Sequence, residues 1–466
     1  MIEEDNLSNK VITFGCRLNT FESEVIKKAV EKSGEKNLIV FNSCAVTASA
    51  ERELRSAIRK SKKQNPNSKI ILTGCAAQID PKKYAKMSEI SLILGNSEKT
   101  NYLSYQKNFT SESKDSKNIN PNNEILHKDF LFNKTKTIEN NFLTADEISK
   151  IKVNDIMSVK ETAPQLVSYF ENQTRAFLEI QNGCNHRCTF CIIPYGRGNS
   201  RSVGFGEIVS QVRKMLAFGH KEIVFTGVDI SDYGKDLAIP ITLSQMIKRL
   251  LKLVPELPRL RLSSIDVAEI DEDFFEIIAN EPRFMPYLHL SIQSGDDMIL
   301  KRMKRRHNRN QVLKFCNKLQ KIRPEVTFGA DIIAGFPTED DQAFQNSLSI
   351  ISEANIIFTH IFPYSKRDGT PASKMPQIDN KIIKERSKIL REAGKKQLNI
   401  FLEKQINKEI KILLEKNNFG KSENFLDVEI CHDSLKTNKI KVGEIITTKI
   451  TGVKNNKLLG NFYQSH

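Results

Sequence analysis

Between residues 10 and 100 short apolar runs alternate with longer amphipathic stretches: KVITFGC, FESEVIKKAVEKSG, NLIVFNSC, RELRSAIRKSKKQNP, SKIILTGC and ISLILGN. The short runs have strand length, and the longer ones repeat their apolar positions with a helical period. This rhythm predicts a βα domain over residues 1–100, with strands feeding loops on one sheet edge. From 101 to 170 the rhythm is lost. The stretch SESKDSKNINPNNE is polar, the apolar periodicity stays broken through SVKETAPQLV, and the segment reads as a linker with some local structure. Over 171–397 the alternation returns, with AFLEIQ, EIVFTGV, RLRLSSI, YLHLSIQ, VTFGADIIAGF and IIFTHIFPY separated by helical stretches such as FGEIVSQVRKMLAFG. Six such repeats predict a full or partial parallel (β/α) barrel, whose chemistry belongs at the carboxyl ends of its strands. In the last segment, 398–466, FLDVEI, EIITTKITGV and KLLGNFY are short strands separated by Gly, Asn and Lys, consistent with a small β-barrel. The chain is thus α/β, with an all-β domain appended.

Composition sharpens this picture in two respects. A chain of 466 residues fits two or three domains, each able to bury a core. Lys and Arg outnumber Asp and Glu by 71 to 56, a formal charge of +15 that favours a polyanionic partner, nucleic acid first. A solvated basic surface is the plainer alternative. The stretch MIEEDNLSNKVITFGC lacks the basic start and apolar run of a secretory signal, and no apolar run reaches eighteen residues. The expectation is a cytoplasmic protein with no membrane association, in which clustered cysteines serve metal binding or catalysis.

The cysteines fall into two sets of three. Cys16, Cys44 and Cys75 each follow one of the first three strands, so they converge if those strands are parallel. Each alone reads more simply as a small buried hydrophobe. Cys184, Cys188 and Cys191 lie in one loop, IQNGCNHRCTFCIIPYGRG, directly after the first strand of the second domain. Three is the wrong number for a closed structural zinc site or for a disulfide framework. It suits a 4Fe-4S cluster with one iron left open, to which S-adenosylmethionine chelates before reductive cleavage to a 5′-deoxyadenosyl radical. The Cys-x3-Cys-x2-Cys spacing with Phe190 before the last cysteine is the radical S-adenosylmethionine signature. A zinc site completed by His186 is the rival reading.

Nearly the whole chain resembles the methylthiotransferases of that superfamily: FGCRLNTFESE, NSCAVTASAERELR and TGCAAQ are similar to their amino-terminal domain, IQNGCNHRCTFCIIPYGRG to their radical domain, GADIIAGFPTEDD to a later barrel motif, and the tail to their TRAM domain. Among subfamilies, CAVT, CTFCIIPYGRG, FTGVDISDYG and LRLSSID most resemble enzymes acting on N(6)-threonylcarbamoyladenosine beside the tRNA anticodon. The resemblance implies a second 4Fe-4S cluster on Cys16, Cys44 and Cys75 that carries the sulfur to be inserted, and methylthiolation at carbon 2 of the adenine. It also implies tRNA as partner, an electron donor such as a flavodoxin or ferredoxin, and a sulfur source. Isopentenyladenosine in tRNA and an aspartate of a ribosomal protein are the alternative substrates. An RNA-binding module with purely structural clusters is the alternative from another class.

Further candidates for holding S-adenosylmethionine are Gly227, in the place of the superfamily's contact with the methionine amino group, Ser264 and Gln293 at strand ends, and Gly335 beside the adenine. Each has a local alternative: a turn for Gly227 and Gly335, and a hydrogen bond to its own backbone for Ser264. The run KRMKRRHNRN, placed between a strand and a helix, is a candidate for phosphate contact, with Arg52, Arg55 and Arg59 at helical spacing as a possible extension. Cys316 and Cys431 lack metal-like neighbours and read as structural.

Overall fold

A computed structural model describes residues 8–106, 143–160, 174–430 and 440–462. Cys431 and much of the segment read as a linker lie outside the described residues. The chain divides into two compact units. One comprises Met1–Val159, Phe190–Gly198 and Lys366–Ser373, the other Lys160–Thr189, Asn199–Ser365 and Lys374–His466.

The first unit is built on a five-stranded parallel sheet of β1 (Lys10–Thr13), β2 (Leu38–Ser43), β3 (Lys69–Gly74), β4 (Leu92–Leu94) and β5 (Ile151–Lys152), in that order. Every residue of β2 is buried, as a strand covered by helices on both faces requires. Ile39 and Phe41 pack with Leu54 and Ile58 of helix Ala48–Gln64, while Leu38 and Val40 pack with Ile26 and Val30 of helix Arg17–Ser33 on the opposite face. Thr47 caps the former helix by accepting from the backbone N–H of Ala50, and Gly34 ends the latter in the left-handed region. Ile151 and Lys152, within the segment read as a linker, supply the edge strand β5. Two residues are too few to carry a periodic signal.

The second unit begins with β6 (Arg175–Glu179), followed by the short antiparallel pair β7 (Gln181–Asn182) and β8 (Arg201–Ser202). Then come β9 (Glu222–Thr226), β10 (Arg259–Leu262), β11 (Ser264–Ile265), β12 (Tyr287–Gln293), β13 (Thr327–Ala334) and β14 (Ile356–Pro363). They form two parallel sheets, β10-β9-β6 and β11-β12-β13-β14, and the chain passes from one to the other at Ser263. This is a partial parallel barrel, the partial form of the predicted architecture. Helix Asn380–Glu403 runs across residue 397, and the closed barrel β15-β16-β17-β19-β18 starts at Glu409. Its strands are β15 (Glu409–Lys416), β16 (Phe419–Ser422), β17 (Asp427–Ile430), β18 (Ile445–Lys454) and β19 (Lys457–Phe462).

The turn between β16 and β17 plugs the amino-terminal end of the parallel strands. Arg261, fully buried and paired with Glu222 at 2.8 Å, donates to the carbonyls of Ser422 and Glu423. Thr327 donates to the carbonyl of Asn424, and Phe425 stacks on Tyr287 with ring centroids 4.6 Å apart. Among the described residues no helix is long and apolar enough to cross a membrane.

Candidate active site

The first unit gathers one set of cysteines at the carboxyl ends of β1, β2 and β3. Cys16 caps helix Arg17–Ser33, Cys44 follows β2, and Cys75 opens helix Cys75–Ile79. A Cβ added to Gly15 would lie 2.9 Å from the Cβ of Cys44, so the first two loops meet. Cys16 donates to the side chain of Asn19 at 3.3 Å. Arg197, from the segment Phe190–Gly198, donates its Nε–H to the Sγ of Cys75 at 3.1 Å and an Nη2–H to the same Asn19 oxygen at 3.4 Å. Both ends of its fork bind Glu22, which also takes Lys99 at 2.7 Å. These three charged side chains are almost completely buried.

Burial, then the neighbouring Cys75 and Cys16, push the Cys44 thiol up to about 11. Thiols that raise one another bind as thiolates once a cation displaces their protons, which suits a metal-binding set. Among the described residues two groups have ligand atoms close enough to share one ion, and Cys16, Cys44 and Cys75 are not one of them. A wider triplet of thiolates fits a multi-iron cluster better than a single ion.

In the second unit the loop after β7 carries Cys184 and Cys188, while Cys191 falls in the segment Phe190–Gly198 of the first. The backbone N–H of His186 donates to the Sγ of Cys184 at 3.4 Å. Arg187 binds the carbonyls of Cys184 and His186 and the side chain of Asn199, and Thr189 is tied through both its backbone and its hydroxyl to Met303 and Arg302. The loop is therefore held in shape by its own chain. Arg305 faces it, with Nη1 at 3.7 Å from the Sγ of Cys188 and Nη2 at 2.9 Å from Asp266 and 2.8 Å from the carbonyl of Ser291. Burial alone would raise the Asp266 carboxyl, but the His307 hydrogen bond and the Arg305 charge hold it well below the usual carboxylate range. A fixed guanidinium beside a thiolate offsets the negative charge of a three-thiolate cluster. His186 is 2.8 Å from Asp229 and also touches the guanidinium of Arg306. Cys184, His186 and Asp229 are spaced to share one ion, but the Arg306 cation beside His186 disfavours zinc there.

Of the other predicted residues, Gly227, Gln293 and Gly335 lie at the carboxyl ends of β9, β12 and β13, whereas Ser264 opens β11 level with His289. A Cβ on Gly227 would lie 2.5 Å from the carbonyl oxygen of Gln181, so glycine is required there by close backbone approach. Gln181, absent from the sequence expectations, accepts from the backbone N–H groups of Val228 and Asp229 and donates to the carbonyl of Gly183. It thereby ties the loop after β9 to the cysteine loop, and its place three residues before Cys184 was the only signal. Ser264, half-buried at the start of β11, makes no side-chain hydrogen bond among the described residues, so the local cap does not form. Gln293 ends β12 at φ +68°, left-handed backbone in a non-glycine residue, of the kind that clusters at ligand sites. Gly335 turns at φ +73°, and its N–H donates to the buried Glu339, itself paired with Arg386 at 2.8 Å.

The basic run departs from expectation. Lys301 and Arg302 lie on helix Asp297–Met303, and Arg309 starts helix Arg309–Ile322. Arg305 turns inward to Asp266, Arg306 pairs with Glu269, and Arg309 binds Glu353 and the carbonyls of Gly295 and Asn346. The exposed Lys301 and Lys304 remain without an ion-pair partner among the described residues. A sequence run counts charges but does not show the acids, distant in sequence, that neutralise them. On helix Ala48–Gln64 Arg55 and Arg59 also pair, with Glu51 and Glu89, and Arg52 is exposed. Cys316 is buried in helix Arg309–Ile322, and burial pushes its thiol up.

A parallel partial barrel with a three-cysteine loop after its first strand defines a radical S-adenosylmethionine enzyme. The radical SAM superfamily matches residues 178–351, and the family described as uncharacterized protein family UPF0004 matches residues 9–95. The chain is 50% identical, over 97% of both chains, to the threonylcarbamoyladenosine tRNA methylthiotransferase MtaB of Rickettsia prowazekii (strain Madrid E). It is 35% identical to the protein of the same name from Aquifex aeolicus (strain VF5), over 90% of this chain and 95% of that one. Its fold is similar to the radical S-adenosylmethionine methyltransferase TsrM of Kitasatospora setae, solved with cobalamin and a [4Fe-4S] cluster bound, at a TM-score of 0.50 and 14% identity over 79% of this chain and 74% of that one. The chain belongs to the threonylcarbamoyladenosine tRNA methylthiotransferase family.

Proposed function

We propose that this protein methylthiolates carbon 2 of N(6)-threonylcarbamoyladenosine next to the tRNA anticodon, using S-adenosylmethionine and two 4Fe-4S clusters. The observation that carries this reading is the 50% identity along 97% of the chain to a relative whose name states that activity. Two separate three-cysteine sets, each with a buried or half-buried guanidinium at one sulfur, support the count of two. When bound, the clusters supply a reducing electron for cleavage of S-adenosylmethionine and a site for the sulfur to be inserted.

The chain's own residues do the positioning. Gln181 and Arg187 fix the radical loop, and Arg305 places one positive charge beside Cys188. Gln293, Ser264, Gly227, Gly335 and Phe190 are the candidates for holding S-adenosylmethionine. Lys301, Lys304 and Arg52 are exposed cations available to tRNA phosphates. The chemistry requires a low-potential electron donor, such as a flavodoxin or ferredoxin, and a sulfur source, in a cytoplasmic setting.

Mass spectrometry of tRNA nucleosides from cells with and without the gene tests the proposal. Loss of the methylthio form of threonylcarbamoyladenosine is the expected result, and unchanged tRNA overturns it in favour of a ribosomal-protein substrate.

A further inference from the structure

The wall formed by β12, β13 and β14 carries a polar cluster that the cysteine chemistry does not use. The Nε2 of His289 lies 2.9 Å from Oδ1 of Asp331, and the Nδ1 of His360 lies 3.3 Å from the same oxygen. Asp331 and His360 are register partners on neighbouring strands, so they share a face. By the alternation of β12 ahead of its register shift, Tyr287 and His289 share that face too, and the fully buried Leu288 and Leu290 take the other.

This places the cluster between two levels already described. Below it, Tyr287 donates toward or accepts from the Nδ1 of His289 at 2.8 Å and stacks on Phe425 of the plugging turn. Above it, one side-chain repeat along β12 (roughly 7 Å), the carbonyl of Ser291 binds Arg305, which faces Cys188.

Its members are not equivalent. His289 is buried and has both ring nitrogens engaged, by Tyr287 and Asp331. His360 has its Nδ1 on Asp331, its side chain is 57% exposed, and its Nε2 has no partner among the described residues. A carboxylate on one imidazole nitrogen fixes the ring's orientation and leaves the other nitrogen to face a ligand. Burying a carboxylate with two imidazoles costs desolvation and is weak evidence for stability, which leaves ligand recognition as the reason for the arrangement.

We propose that His360, oriented by Asp331 and backed by His289, binds the polar threonyl end of the substrate's threonylcarbamoyl group. This rests on the function proposed above. Threonine joined through its amino group retains a free carboxylate and a hydroxyl, both polar partners for the His360 Nε2. An isopentenyl substituent offers none and leaves that nitrogen unpaired, so the same contact discriminates between the two modified adenosines.

The test uses reconstituted holoenzyme with two tRNAs, one bearing threonylcarbamoyladenosine and one bearing unmodified adenosine at the same position. Wild-type turnover of the first tRNA fixes the frame: failure of the wild type on it would overturn the proposed function itself. Given wild-type turnover, His360→Phe should raise KM for the threonylcarbamoylated tRNA roughly tenfold to a hundredfold with a smaller change in kcat, and should not further impair turnover of the unmodified tRNA. His360→Gln, which keeps a donor, should recover part of the loss. Unchanged KM, or equal losses on both tRNAs, would overturn the inference. So would a divalent metal bound one per chain beyond the cluster iron and lost in His360→Phe, because the two histidines and Asp331 are also spaced to share one ion.

Discussion

Arg197 donates to the sulfur of Cys75 across 122 positions of sequence, at 3.1 Å. The same guanidinium closes a bidentate pair with Glu22, so one side chain links the Cys75 sulfur to a deeply buried acid. Removing it strands Glu22 with Lys99 alone. Arg197→Met should destabilise the protein by about 3–5 kcal/mol and lower its iron and sulfide content, measured by thermal unfolding and elemental analysis. Arg197→Lys keeps the charge but not the fork, and should recover only part of the stability.

The same network sets a pH dependence. Burial favours the protonated form of Glu22, but Arg197 and Lys99 outweigh it and hold its carboxyl well below the usual range. A depressed folded pKa contributes stability that is complete above the unfolded value of 4.5 and is lost as pH falls below it. Denaturant midpoints should therefore fall in acid below about pH 4.5. Glu22→Gln should be less stable near neutrality yet show a shallower acid slope.

The two cysteine sets should separate by mutation. Cys188→Ala should abolish formation of 5′-deoxyadenosine from S-adenosylmethionine. Cys44→Ala should retain that cleavage, uncoupled, while methylthiolated nucleoside disappears from the product. Chromatography of both products from each variant checks this, and equal loss of cleavage in the two would contradict separate roles.

Arg305 joins Cys188 to Asp266, and its loss leaves a buried carboxylate with only His307 and the backbone N–H of Ala268. Arg305→Ala should slow cleavage of S-adenosylmethionine and shift the cluster's reduction potential to a more negative value, because a positive charge near the sulfur is removed. Potentiometric spectroscopy reads the second effect. An unchanged potential would assign Arg305 a structural role only.

Gln293 holds left-handed backbone at the end of β12. Gln293→Gly should relieve on the order of 1 kcal/mol of strain and raise the melting temperature. The KM for S-adenosylmethionine should rise at the same time, since the amide is lost. A more stable variant with unchanged KM would remove Gln293 from the site.

What the sequence by itself determined is the part of the chemistry that is local or periodic. Cys184, Cys188 and Cys191 are counted within eight residues, and the alternation of apolar runs placed Cys16, Cys44 and Cys75 at strand ends, where the sheet β1–β5 keeps them. The six apolar runs that form the seven parallel strands of the partial barrel, and the appended β-barrel, were legible for the same reason: periods of two and of about 3.6 are written in consecutive residues. Which charges stand beside those sulfurs depended on the packed chain. Arg305 belongs to a run that reads as a phosphate contact and Arg197 carries no reading from sequence, and the structure turns them onto Asp266 and Glu22. His289, Asp331 and His360 carried no signal at all, because each sits within an apolar strand and they meet only through the lateral register of β12, β13 and β14. Spacing along one strand fixes which face a side chain takes, whereas its partners come from neighbouring strands whose order and register no single stretch of sequence contains.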